Sequence, residues 1–297
     1  MTTIHRPGPV TLVLALAGGA LLAACSGADR TAPQPLVLSQ AEADSMGDVV
    51  VADVENELDA GTATTGIGFV PGAPLTAGLT AAVRCVPEVA PLPVVNSDAD
   101  RVPDSIRVTF TDCVIGYRRG ADTIRGSIDI VDPTPMGTDG SIKLAFIDFA
   151  RIFVDRHNHT ASLTVNGSRE AIRDADQLSQ TEQDFRTDYA FGNGATASHV
   201  RNWAVVFQAD VAGSIVHDAA LPSGVLTVNG TSTFTRDGTT TFDLQVTTDT
   251  PFRYDATCTD RPRFSAGKLV AVVTKHGATA TITIEFTACG QYTVTKS

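Results

Sequence analysis

Aromatic side chains are scarce in this chain: one Trp, four Tyr and 13 Phe make up 6% of its 297 residues. That scarcity argues against a membrane-spanning β-barrel, which wears aromatic girdles at both interfaces. Cation excess is lacking too. Lys and Arg total 22 against 33 Asp and Glu, a formal charge of −11. An acidic balance of this size argues against nucleic acid as a partner, because phosphates need a basic surface. It argues equally against a polybasic contact with anionic lipid. Recognisable catalytic signatures are missing: there is no Gly-x-Ser-x-Gly elbow, no His-Glu-x-x-His and no phosphate-binding glycine loop. The expectation is a chain that is not an enzyme.

Long apolar runs are lacking with one exception, from Val10 to Ala24. Arg6 precedes it, and Leu22-Ala23-Ala24-Cys25 closes it. A short basic start, an apolar middle and small residues before a cleavage point are the layout of a secretory signal peptide. The run is shorter than the roughly 20 residues a membrane span needs. The last four residues match the lipobox of bacterial lipoproteins. That resemblance implies cleavage before Cys25, diacylation of its thiol (palmitate-type chains) and acylation of the new amine. Two or three acyl chains hold a protein stably on a membrane, whereas one does not. Ser26, rather than Asp, favours the outer membrane by analogy with Gram-negative sorting. The chain therefore reads as a signal peptide over 1–24, a lipidated flexible tether over 25–38 bearing Pro33 and Pro35, and one β-rich domain over 39–297.

Setting Cys25 aside leaves Cys85, Cys113, Cys258 and Cys289. An even number in an exported chain reads as two disulfides, with three connectivities open. No two of the four are close in sequence, which disfavours a zinc site.

Ser39 followed by Glu42 is a capping box, and Leu38 stands where a hydrophobic staple would. Met46, Val50, Val54 and Leu58 recur every four residues with acids between them, and Gly61 closes the run. This predicts an amphipathic helix over 39–60. Beyond it the period changes to two. Ile106, Val108 and Phe110 alternate with polar residues, as do stretches at 127–130, 142–146 and 281–286. Roughly a dozen such segments predict antiparallel strands. The fold class is all-β: a large antiparallel meander, either a curved open sheet or a sandwich, with the helix packed on it.

The chain repeats itself weakly. Residues 106–113 (Ile-Arg-Val-Thr-Phe-Thr-Asp-Cys) echo 282–289 (Ile-Thr-Ile-Glu-Phe-Thr-Ala-Cys), each following an earlier cysteine at a similar distance. The repeat favours Cys85–Cys113 and Cys258–Cys289 as pairs, each contributing roughly 3–4 kcal/mol in the chain-entropy model. A second echo relates Leu163-Thr164-Val165-Asn166-Gly167-Ser168 to Leu226-Thr227-Val228-Asn229-Gly230-Thr231. Tether, helix, cysteine strand, Phe-Thr-x-Cys strand, Val-Asn-Gly strands and a terminal cysteine pair together resemble an uncharacterised family of β-rich bacterial lipoproteins, best known from Bacteroidetes-like bacteria. The family's Gly-rich stretch after the first disulfide is poorly kept, as Gly116-Tyr117-Arg118-Arg119-Gly120. The resemblance implies fold and location, and no activity.

Several constellations bear chemistry. Asn96, Asp98, Asp100 and Asp104 offer oxygens at alternate positions and resemble a calcium loop. Arg101 stands where glycine normally makes the turn, and Arg107 where the last acidic ligand belongs. His157-Asn158-His159 with Asp155 is a candidate metal triplet, read more readily as a hairpin tip. Asn166-Gly167 and Asn229-Gly230 form sequons but are expected at tight turns. Asp174, Asp176, Glu182, Asp184 and Asp188 read as a solvated acidic surface, and Trp203 as core. The expected role is that of a membrane-anchored envelope lipoprotein with a non-catalytic structural or interaction function, meeting an envelope protein or a lipophilic ligand. A lipophilic-ligand carrier and a motif-less hydrolase are the alternatives. A packed interior favours the first, and an apolar cavity of several hundred Å³ the carrier.

Overall fold

The computed structural model describes residues 35–62, 87–100, 102–117, 120–137, 140–155, 157, 159–216 and 219–297. Helix α1 (Gln40–Thr62) comes first. Twelve strands follow: β1 (Glu88–Ala90), β2 (Ser105–Tyr117), β3 (Gly120–Val131), β4 (Ile142–Asp155), β5 (Thr160–Arg173) and β6 (Gln177–Ala190). Then come β7 (Thr196–Ala209), β8 (Gly224–Arg236), β9 (Thr239–Tyr254), β10 (Phe264–Lys275), β11 (Ala278–Ala288) and β12 (Gln291–Lys296). Every strand pairs antiparallel with its sequence neighbours, in one sheet ordered β1 to β12. The sheet is open, since β1 does not pair with β12. The expected all-β meander with one helix is therefore the observed fold, as an open sheet and not a sandwich.

The capping box forms as read. Ser39 Oγ accepts from Glu42 N at 3.2 Å, and Glu42 Oε2 accepts from Ser39 N at 2.9 Å. The helix then runs two residues past the expected end. Ala43, Met46, Val50, Val54 and Leu58 are buried on one face, while Ala41, Asp44, Asp48, Ala52 and Asn56 stay exposed on the other. Each large apolar side chain so buried contributes ~1.5–3 kcal/mol. Gly47 is required by proximity: a Cβ there would lie 2.6 Å from Val294 on β12.

The helix touches strands far apart in the sheet. Asp48 accepts from the hydroxyl of Tyr292 on β12, and Glu57 binds Arg169 on β5. Seven strand spacings separate β5 from β12, ~34 Å on a flat sheet. A helix ~10–12 Å across meets both because the sheet curls around it.

Mid-strand bulges produce much of that curl. Register shifts interrupt each pairing from β2–β3 through β6–β7, and again in β8–β9 and β9–β10. Asp112, Asp148 and Asp184 sit in the left-handed region at these interruptions, a conformation Asp tolerates better than most residues. Bulges bend a strand and raise its twist. Here the Asn-Gly expectation is corrected. Asn166-Gly167 and Asn229-Gly230 lie inside β5 and β8, not at hairpin tips. Asn166 Oδ1 accepts from Asp148 N at 2.8 Å, and Gly167 lets the Asp184 carbonyl approach to where a Cβ would be 2.2 Å from it. The repeated Val-Asn-Gly pattern marks bulges because the side-chain amide satisfies a backbone N–H that the ladder loses there.

Because hairpins alternate, the sheet has two ends. The chain enters at the near end: Leu36 N donates to Thr279 O at 3.0 Å, and Lys296 Nζ donates to Leu38 O. Helix α1 finishes at the far end. Residues 35–297 form one compact unit.

Gly167→Ala is expected to destabilise by several kcal/mol, because both a clash with backbone and a left-handed φ oppose it. Gly194→Ala in the β6–β7 turn meets nothing within 4 Å and should cost only about 1 kcal/mol. Urea unfolding followed by fluorescence of the single, buried Trp203 measures both.

Candidate functional site

The interior holds a cluster of charges that the periodicity of the helix does not announce. On α1, Asp53, Glu55 and Glu57 are buried, Glu57 completely. Opposite lie Arg169 on β5, Gln180 and Glu182 on β6, and Arg201 on β7, all buried. Arg169 Nη2 donates to Glu57 at 2.8 Å and to Glu182 at 2.5 Å. Arg201 donates to Asp53 at 2.9 Å and to Glu182 at 2.9 Å, and lies 3.2 Å from Glu57. Gln180 Nε2 donates to the second oxygen of Glu57 at 2.6 Å. Both guanidinium groups also lie over the Phe185 ring, at 4.8 and 5.2 Å. Trp203 is core, as expected, and donates to Ser232 Oγ at 3.0 Å.

The opposite flank of the same helical turns is held as well. Arg263, just before β10, donates to Glu55 through its backbone N–H at 2.7 Å and to Asp59 through Nη2 at 2.5 Å. Arg261 binds Asp59 at 2.5 Å. The acids that stand between the apolar stripe residues are therefore the helix's clasp, and Glu182 is corrected from solvated surface to buried partner. Asp174 and Asp176 do lie in the exposed β5–β6 turn, and Asp184 marks a bulge.

Beneath the helix, three carboxylates face two guanidinium groups. Burial next to Glu182 pushes Glu57 up to about 8, against the pull of Arg169 and Arg201. Burial likewise raises Asp53 to about 6, and burial beside Arg201 lowers His199 to about 3. Burial disfavours the Arg201 cation, but Asp53, Glu57 and Glu182 outweigh it and hold it charged. A proton on Glu57 balances the cluster at neutral pH. Asp53 Oδ2 and His199 Nε2 lie 3.5 Å apart, and each is buried without a hydrogen bond; one proton between them would join them.

The acidic loop is rearranged relative to expectation. Asp98 and Asp100 converge with Asp132, which follows β3; one carboxylate oxygen from each lies within 4.8 Å of the others. Asn96 and Asp104 do not join them. Asn96 Oδ1 accepts from Ala99 N at 2.7 Å, and Asp104 accepts from Ser97 N and Oγ at 2.7 and 2.6 Å. The turn expected at Arg101 is made by Ala99, with a φ of 64°. Asp132 was invisible to local reading because it comes from the next hairpin. The repulsion of Asp98 and Asp132, added to burial, raises Asp100.

Cys258 and Cys289 form the expected disulfide, linking the β9–β10 and β11–β12 connections. Cys113 is disulfide-bonded; Cys85 and the lipidation site Cys25 lie outside the described residues. His157 and His159 occupy the β4–β5 turn, where Asp155 accepts from both backbone N–H groups at 2.7 and 2.9 Å. Ser265 and Lys268 have a hydrolase-like Ser-x-x-Lys spacing. Ser265 Oγ donates to Arg253 O at 3.4 Å and Lys268 Nζ lies 3.9 Å from Asp249, so the two engage different partners. On the convex face, Ser162, Thr164, Arg186, Asp188 and Ser198 line a groove of about 370 Å³ together with Tyr189, Ala190 and Ala197.

The architecture is thus an open antiparallel meander curled round an N-terminal helix. Comparison with known protein families, with characterised proteins and with solved structures finds no match to this chain.

Stability should fall as pH rises from about 6.5 to 8. Glu57 binds a proton in the folded state that an unfolded Glu releases near 4.5, so stability is greatest below that value and lost up to about 8. His199 acts oppositely, but only between about 3 and 6.5, and Asp53 only below about 6. The expected loss between 6.5 and 8 is roughly 2 kcal/mol, read by urea unfolding. Glu57→Gln should flatten the slope, while Arg201→Met should cost roughly 3–5 kcal/mol at any pH in that range.

Proposed function

We propose that this chain is a membrane-anchored envelope lipoprotein whose sheet-and-helix body has a non-catalytic structural or interaction role. The observation that carries the reading is the filled concave face. Phe207, Leu226, Phe252, Ile282 and Ile284 are wholly buried in one core with Val50, Val54 and Leu58 of α1. A lipophilic carrier needs an apolar cavity of several hundred Å³, and here the helix occupies the volume where such a ligand would lie. A groove of about 370 Å³ lies on the convex face, outside that core.

The lipobox at 22–25 supports attachment to the outer membrane, and the resemblance to β-rich bacterial lipoproteins agrees with it. Cells grown with labelled palmitate are expected to label the chain, and Cys25→Ser should abolish the label and hold the protein as an uncleaved precursor. Retention of label in that variant would overturn the anchor. Mass spectrometry of the native protein should find a protein partner; a stoichiometric apolar ligand would instead select the carrier.

Calcium is a proposed accessory. Asp98, Asp100 and Asp132 could supply three of the six to eight oxygens it needs. Millimolar Ca²⁺ is then expected to raise Tm, and Asp100→Asn to remove the rise; an unchanged Tm and no calorimetric heat would dismiss the site.

A further inference from the structure

The arginines that grip the end of α1 from outside sit on a loop with almost no core of its own. The β9–β10 connection, residues 255–263, reads Asp-Ala-Thr-Cys-Thr-Asp-Arg-Pro-Arg and contains no large apolar side chain. Only Pro262 among these residues is buried. Yet Arg261 binds Asp59, and Arg263 binds both Glu55 and Asp59. Those acids stand in the final turns of the helix. Arg261 is 58% exposed and Arg263 22%, so water reaches each pair and each alone is weak.

The loop is held from outside. Its covalent tie is Cys258–Cys289, which crosses to the β11–β12 connection at residues 289–290. Beside it, Gly290 N donates to Pro262 O at 2.8 Å, between the two arginines. Gly290 lies so close to Asp260 that a Cβ there would be 2.9 Å from that side chain. The β11–β12 turn thus fixes the backbone from which Arg261 and Arg263 reach the helix. Asp255 N donates to Arg263 O and Ala256 N to Ser223 Oγ, both at 3.0 Å, on the other side of the loop. The near end of α1 is held independently, by its capping box and by Gln40 on β12. Cys258 and Cys289 are both half-buried, within reach of a small thiol.

We propose that Cys258–Cys289 is a redox latch: closed, it keeps the arginine clasp on the far end of α1, and opened by a dithiol it lets that end loosen. A thiolate of the dithiol attacks one sulfur, the S–S bond breaks, and a mixed disulfide forms. The second thiol of the dithiol then displaces the remaining cysteine. The dithiol leaves as its internal disulfide, oxidised by two electrons. Cys258 and Cys289 are reduced to thiols and take up its two protons. Without the bond the loop regains the freedom that the cross-link removed, and ion pairs this exposed do not hold it. Residues 53–62 then open in a local unfolding, while the near end stays docked. Water so admitted reaches Glu57 and, beneath it, Arg169 and Arg201. The helix fills the concave face, so the latch sets whether the far end of that face can open. The device goes beyond the lipoprotein reading and does not depend on the anchor.

Amide hydrogen exchange on the full chain, with and without dithiothreitol, tests the latch. Alkylation and peptide mass mapping verify that Cys258 and Cys289 have opened. Reduction is expected to speed exchange over 53–62 roughly tenfold and to leave 40–50 unchanged. Cys258→Ser combined with Cys289→Ser should reproduce the effect without reductant, which separates it from the disulfide at Cys113. Arg261→Gln combined with Arg263→Gln should speed the same residues in the oxidised protein, and reduction should then add less than about twofold. Unchanged exchange over 53–62 on reduction overturns the proposal. Equal acceleration along the whole helix overturns it as well, because the bond then stabilises the fold at large. An equal effect of reduction with and without the two arginines also overturns it, because the bond then acts on the helix by another route. Should the serine pair fail to fold, the arginine pair with and without dithiothreitol decides the matter.

Discussion

The structure depends on how one acidic helix is held inside one curved sheet. The last three turns of α1 carry Asp53, Glu55, Glu57 and Asp59 and no cation. That arrangement opposes the helix macrodipole, whose negative end favours Lys or Arg. An isolated helix of this sequence would fray there. In the fold, Arg169 and Arg201 grip one flank and Arg261 and Arg263 the other. The apolar stripe between them supplies the adhesion, and the charged flanks fix where along the sheet the helix lies. Exchanging a buried ion pair for well-packed apolar groups is often neutral or stabilising, so specificity of docking is the better account of why charges stand there.

Curvature is the second constraint, and it serves the first. Strands of 11 to 16 residues in β2 to β11 exceed the usual five or six, and straight strands of that length could not wrap a helix. The bulges resolve this by bending the strands near their middles. Aspartate in the left-handed conformation, glycine facing a neighbour's carbonyl and an asparagine amide replacing a lost ladder bond recur from strand to strand. The edges are managed too. Gln40 Nε2 donates to the Val294 carbonyl on edge strand β12 at 3.0 Å, so the helix covers one side of the sheet and also occupies a group that could otherwise pair with another chain.

Placing the carboxylates changes their meaning. Glu182, Asp184 and Asp188 lie within seven residues, yet one is buried beneath the helix, one turns a bulge and one faces the convex groove. Strand alternation separates neighbours in sequence onto opposite faces, and a bulge shifts that alternation by a residue. The acidic loop behaves in the same way. Asp98 and Asp100 were legible as a pair, but their third member, Asp132, arrives from the next hairpin, and Asn96 and Asp104 are used up in local turns.

Local chemistry was therefore readable without the fold. The capping box, the four-residue stripe of α1, the period-two strands and the Cys258–Cys289 pair each depend on residues within a turn, a strand or a repeat. The meander itself follows from such short connections. What tertiary structure alone decided is which polar groups lose water. Nothing in Val-Ala-Asp-Val-Glu-Asn-Glu-Leu-Asp distinguishes a buried carboxylate from a solvated one, because its partners lie more than a hundred residues away.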